Sequence, residues 1–179
     1  MNPPPIGEAL DAAWNIFKKD YAAILLATLC AMLLGLVPLV GGGLAMAGLM
    51  HVSLKALRGQ SPVPEDGFIG LQRPMDHIVM GLLQIVGLVA CCIGVYVSQA
   101  IFFPGTALIL EKGMDWNRAK DVCVARIWPS WGPWTLYTLV AGLVGGSGAI
   151  LCGLGVIVTL PLAGLMLAYA YDRVIAPAV

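Results

Sequence analysis

Apolar positions run without a formal charge through three long stretches, 21–54, 77–110 and 127–171. Every Asp, Glu, Lys and Arg falls in four clusters around them, at residues 8–20, 55–76, 111–126 and 172–173. A helix crossing the roughly 30 Å hydrocarbon core of a bilayer needs about 20 apolar residues. Stretches of 34, 34 and 45 residues exceed that, so each reads as a hairpin of two helices. Proline and glycine mark the bends, because proline removes a helical hydrogen bond and glycine permits tight turns. The first hairpin is expected to break at Pro38 and Gly41–Gly43, and the second near Cys91–Gly94, with Pro104–Gly105 kinking the return helix. The third can turn at Gly145–Gly148 or at Cys152–Gly153.

Ahead of the first hairpin, Ile6, Leu10, Ala13, Trp14, Phe17 and Tyr21 recur at helical spacing, while Glu8, Asp11, Lys18 and Lys19 take the other faces. That is an amphipathic helix lying in the membrane interface. A weaker stripe of Trp116, Ala119, Cys123 and Ile127 precedes the third hairpin and ends at Pro129. The expected fold is therefore an all-α membrane protein. It has about six short transmembrane helices in three hairpins, plus two interfacial amphipathic helices. One membrane domain fills 1–179: an amphipathic helix over 5–20, hairpin 1 over 21–57, and a cytoplasmic loop over 58–75. Hairpin 2 covers 76–111, an amphipathic segment 112–130, and hairpin 3 131–173. Three long single helices would instead put Lys18 and Lys55 on opposite sides of the membrane.

Composition and charge agree with this class. The chain is 59% hydrophobic and 11% charged, against about 25% charged in a soluble domain. Its formal net charge of zero provides no basic surface for nucleic acid. Hairpins keep all charges on one face, and the positive-inside rule makes that face cytoplasmic, with both termini inside. No secretory signal is expected, since a charged amphipathic segment comes first. Trp14, Phe17, Trp128, Trp131 and Trp134 near that face are the expected membrane-surface anchors.

Candidate chemistry is sparse. Cys91-Cys92 lacks the Cys-x-x-Cys spacing of a zinc or thioredoxin site, and a buried cysteine serves as a small apolar filler. Met50-His51 and Met75-Asp76-His77, with Met80, offer soft ligands that could hold copper, but they equally suit helix ends at a wet interface. Ser53, His51, Asp76 and His77 form no nucleophile elbow, and Glu65-Asp66 reads as a solvated turn. No enzyme activity, cofactor or metal is expected. With no ionisable side chain inside the three stretches, an ion-coupled site lacks its usual residues. Gln84, Gln99 and Pro104 remain as a candidate cleft. Gly142, Gly145, Gly146 and Gly164 give the small-residue spacing of close helix packing, within the bundle or against another subunit.

Ala-Gly-Leu-Met closes the first unit at Ala47–Met50 and the last at Ala163–Met166, as in parallel repeats about an axis along the membrane normal. The run Gly7-Glu8-Ala9-Leu10, Trp14 and Phe17-Lys18-Lys19, followed by Pro38 and a glycine-rich turn, resembles a broad family of uncharacterised bacterial six-helix membrane proteins. Similar segments form the membrane domain attached to some glycerophosphodiesterases. Glu111–Asp115, Ala119 and the run Gly153–Pro161 ending at Tyr171 share the likeness, though Cys123 stands where the family often has Ser. The resemblance implies a multi-pass protein of the bacterial inner membrane and carries no catalytic domain. The function expected from these readings is a non-catalytic scaffold or accessory subunit packed against membrane lipids, other membrane subunits or its own copies. The alternative is a small transporter or lipid-handling protein.

Overall fold

The computed structural model describes residues 1–37, 40–87, 91–150 and 155–178. Among them the chain is all-helical, with eight α-helices. These are α1 (Ile6–Lys19), α2 (Tyr21–Gly35), α3 (Gly41–Leu57), α4 (Pro74–Ile85), α5 (Cys91–Lys112), α6 (Trp116–Ile127), α7 (Trp131–Ser147) and α8 (Val156–Ala170). A nine-residue 3-10 segment, Pro64–Gln72, joins α3 to α4. The π turn Tyr171–Ile175 and the 3-10 turn Ala176–Ala178 carry α8 onward.

Two helical runs are long and apolar enough to cross a membrane, Gly94–Lys112 and Val156–Ala178. The expectation of six crossing helices is not supported by the lengths of the others. At 1.5 Å per residue, the 15 residues of α2 and the 12 of α4 reach only about 22 and 18 Å, short of a 30 Å core.

The bends also sit differently from the expected positions. Gly41–Gly43 begin α3 rather than forming a turn, and Cys91 already belongs to α5. Pro38, Cys152 and Gly153 lie outside the described residues. Backbones close the second and third hairpins where Gly87 meets Gly94 and Gly148 meets Gly155.

The hairpins α2–α3, α4–α5 and α7–α8 are arranged cyclically. Each first helix packs on the second helix of the preceding hairpin: α4 on α3, α7 on α5, and α2 on α8. The lead-in segments obey the same rule, with α1 against α8, Pro64–Gln72 against α3, and α6 against α5. The second helices carry a glycine at related positions, Gly48, Gly105 and Gly164, where a Cβ would strike Gly67, Met80 and Leu49 respectively. Each of the three units thus has a lead-in segment, a first helix and a second helix in the same packing order.

The segment read as a loop over 58–75 is instead largely packed structure. Asp66, Gly67 and Gly70 are buried. Asp66 binds Lys55, Gly67 lies against Gly48, and Gly70 lies against Leu44 and Ala47. Lys55 and Leu44 are eleven residues apart on α3, so the segment descends about 16 Å along that helix. Glycine makes this possible: a Cβ on Gly67 would lie 2.5 Å from the Ala27 carbonyl oxygen, and one on Gly70 2.8 Å from that of Leu44.

Candidate functional site

Charges that are scattered in sequence meet at one end of the bundle. Arg58, just past α3, pairs with Glu111 of α5 and, at 2.9 Å, with Asp172 after α8. These two carboxylates hold the guanidinium above its ordinary pKa. One side chain therefore ties together the ends of all three second helices. Glu8 of α1 joins through Tyr169 and through Arg173 at 3.7 Å. Asp66 accepts Lys55 at 2.7 Å and the Val63 N–H at 2.8 Å. Burial pushes the Asp66 carboxyl up, but these hydrogen bonds outweigh it and hold the group below its usual value. The expected solvated turn at Glu65-Asp66 is thus corrected: Asp66 is a buried structural anion.

A groove of about 710 Å³ runs down the side of the bundle. Gly94, Val97, Ile101 and Phe102 of α5 form its floor, Val86 and Gly87 close one end, and Val124, Trp128 and Trp131 stand at the other. From Gly94 to Phe102 it follows α5 for about 12 Å. Its one hydroxyl is already used, since Ser98 Oγ donates to the Gln84 carbonyl at 2.6 Å and accepts the Gly87 N–H at 3.3 Å. The groove thus offers apolar surface with no polar demand and is flanked by two indoles that are 57% and 50% exposed. No residue-type motif announces it; it exists because α4, α5, α6 and α7 fail to close on one another.

Gln84 and Gln99 do come together, lining a cavity of about 410 Å³ between the first two hairpins. Gln84 also donates to Thr106 at 3.3 Å, and Gln99 lines a second space of about 250 Å³ toward α7 and α8. Pro104 lies within α5 and lines neither. Among the expected packing glycines, Gly145 faces Ala163, Gly164 faces Leu49 and Ser53, and Gly142 faces the Tyr96 ring. Only Gly146 of the four looks into open space.

The expected surface anchors divide. Trp14, Trp128 and Trp131 are exposed, whereas Phe17 and Trp134 are buried and are corrected to core residues. Trp134 packs on Phe103 at 5.8 Å and Tyr137 at 6.2 Å, and its indole N–H reaches the Met1 carbonyl at 2.9 Å. Trp134 lies on the buried face of α7 with Tyr137, Thr138, Ala141 and Gly145, whereas Trp131 is the first residue of that helix and stands clear of the packed face.

Cys30 and Cys123 are free thiols, and burial pushes Cys123 up to about 12. The side chains of Cys91, Cys92 and Cys152 lie outside the described residues. Among the described residues, no three His, Cys, Asp or Glu side chains gather as a metal site. Comparison with protein-family models, with characterised proteins and with solved structures finds no match to this chain, and so nothing there bears on the resemblance carried by Gly7–Lys19.

Proposed function

We propose that this chain is a non-catalytic, multi-pass protein of the bacterial inner membrane that binds lipid in its lateral groove. In this reading the three hairpins are six short membrane helices, the charged end and both termini are cytoplasmic, and the bilayer thins around the shorter arms. The observation that carries the reading is the groove: apolar along its length, satisfied at its single hydroxyl, and flanked by Trp128 and Trp131. Indoles favour the headgroup boundary, which sets one end of the groove at the depth where an acyl chain begins. Extraction in a maltoside detergent followed by native mass spectrometry tests it. The native protein retains phospholipid, and the groove-filling double variant Val97→Trp/Val124→Trp, at two groove positions outside the buried core, loses it while remaining folded. Equal lipid retention by the two proteins refutes the assignment.

An accessory-subunit reading is favoured by a different feature. Leu136 and Leu143 are strongly exposed on α7, one helical face with Gly146 open beside them. Under that reading the same spectra contain a stoichiometric protein partner, and Gly146→Leu releases it.

A further inference from the structure

The histidines of this chain number two, and both line one cavity of about 330 Å³ near the charged end. His51 comes from α3, Arg73 and Gln72 from the end of the 3-10 region, and His77 from α4. His77 is 1% exposed, and its Nδ1 has no hydrogen-bond partner among the described residues. A buried polar atom left unpaired costs about 1–3 kcal/mol, and this one belongs to a side chain that lines the cavity. Arg73 lines the same cavity. Its Nη1 donates to the carbonyls of Gly113 at 2.8 Å and Met114 at 3.0 Å. Among the described residues its Nε and Nη2 have no protein acceptor, which leaves an edge of the guanidinium free.

The other charges nearby are already engaged. Asp66 lies 3.4 Å from His51 Nε2 and is itself neutralised by Lys55. Asp76 accepts the Trp116 N–H at 3.1 Å. What faces the cavity is a guanidinium and two imidazoles, and no carboxylate lines it. That lining suits a tetrahedral oxyanion, because a guanidinium edge matches two oxygens of one phosphate.

We propose that the cavity between His51, Arg73 and His77 binds a phosphate-type oxyanion, with Arg73 gripping two oxygens and the imidazoles of His51 and His77 forming the wall beside it. Inorganic phosphate and a phospholipid headgroup share this chemistry. The cavity shares no residue with the lateral groove, so the proposal stands or falls apart from acyl-chain binding.

The test follows the side-chain 15N resonances of histidine-labelled protein in maltoside, a detergent without phosphate. Inorganic phosphate is titrated in one arm, and phosphatidylglycerol in mixed micelles in the other. A saturable shift of the His77 signal with inorganic phosphate supports the site and identifies a free anion as a ligand. A saturable shift with phosphatidylglycerol supports it and identifies the headgroup. In either arm Arg73→Gln, at an exposed position and checked for an unchanged melting temperature, weakens binding about tenfold or more. Absence of a saturable shift in both arms, or equal affinity in Arg73→Gln, overturns the proposal. Gln72→Ala, on the same wall but without charge, distinguishes loss of the guanidinium from a general disturbance by leaving affinity within about twofold.

Discussion

Two sides of this bundle are built from equally apolar sequence and end up very different. Where α2 and α3 receive the Pro64–Gln72 segment, and where α3 crosses α4, backbones touch. A Cβ on Gly48 would lie 2.2 Å from the Gly67 carbonyl oxygen, and one on Gly81 would lie 2.5 Å from Gly43 Cα. Where α5 faces α6 and the start of α7, the neighbouring residues are Phe102, Val124, Trp128 and Trp131, and a groove of about 710 Å³ stays open. Both sides present apolar surface, so hydrophobicity alone does not account for the difference. Side-chain size at the crossing decides it. Glycine lets the backbone dipoles and surfaces meet, and rings hold the helices apart. One side is fastened, and the other is available.

The sharpest way to break this comparison is to put bulk into the fastened side. Gly48→Leu meets backbone rather than a yielding side chain, so overpacking there exceeds the usual 1–3 kcal/mol range. The expected outcome is loss of a monodisperse, cooperatively melting protein in detergent. The next largest contrast lies between two tryptophans three residues apart. Trp134→Ala removes a buried ring and costs about 3 kcal/mol or more, whereas Trp131→Ala costs under about 1 kcal/mol because half of that residue is already exposed. Thermal unfolding of the pair measures the difference, and equal shifts would erase the inward and outward faces assigned to α7.

Smaller still is a pH effect at the junction of α3 with the 3-10 segment. The folded-state pKa of Asp66 is depressed from its ordinary 3.8. Its ion pair with Lys55 therefore contributes in full above about pH 4 and is lost as pH falls through the lowered value, since the unfolded chain then binds the proton first. Melting temperature should decline with acid over that interval in the native protein, with a shallower decline in Lys55→Met. The smallest effect belongs to Gly146→Leu, a glycine with nothing within 4 Å of an added Cβ. Stability should stay within about 0.5 kcal/mol of the native value, as for other exposed positions. A large loss there would mean that this face is as tightly fastened as the side around Gly48.

Much of the architecture is legible in the sequence because charge and periodicity are local signals. Charged clusters bracket the three hairpins, and the 3.6-residue stripe of Ile6, Ala13 and Phe17 predicts α1. The 3-10 segment is illegible for the opposite reason. Pro62, Pro64 and Glu65-Asp66 look like a solvated turn, and only the small residues Ala27 and Ala31 on α2, Gly48 on α3 and the glycines of the segment itself turn Gly67-Phe68-Ile69-Gly70 into a packed element. Trp134 is misread because an aromatic residue near charges has the same local pattern whether α7 turns it toward lipid or toward Phe103. The glutamine cleft is partly legible, since Gln84 and Gln99 are conspicuous polar residues in apolar runs. The lateral groove has no such sign, being a space between helices rather than a property of any one of them. The Arg73 cavity is similar: both histidines stand out in the sequence, but their meeting depends on how α3 and α4 cross.

Arg58 gives the molecule a mechanical character as well as an electrostatic one. Its guanidinium binds the ends of α5 and α8 to the end of α3, while the opposite ends of the three hairpins carry no charged residue at all. Three struts lashed at one end form a tripod. Any spreading of the hairpins pivots about the lashing, so displacement grows with distance from it and is greatest at the end of the bundle farthest from Arg58. Cutting the lashing with Arg58→Met would convert a hinged motion into free separation of the legs.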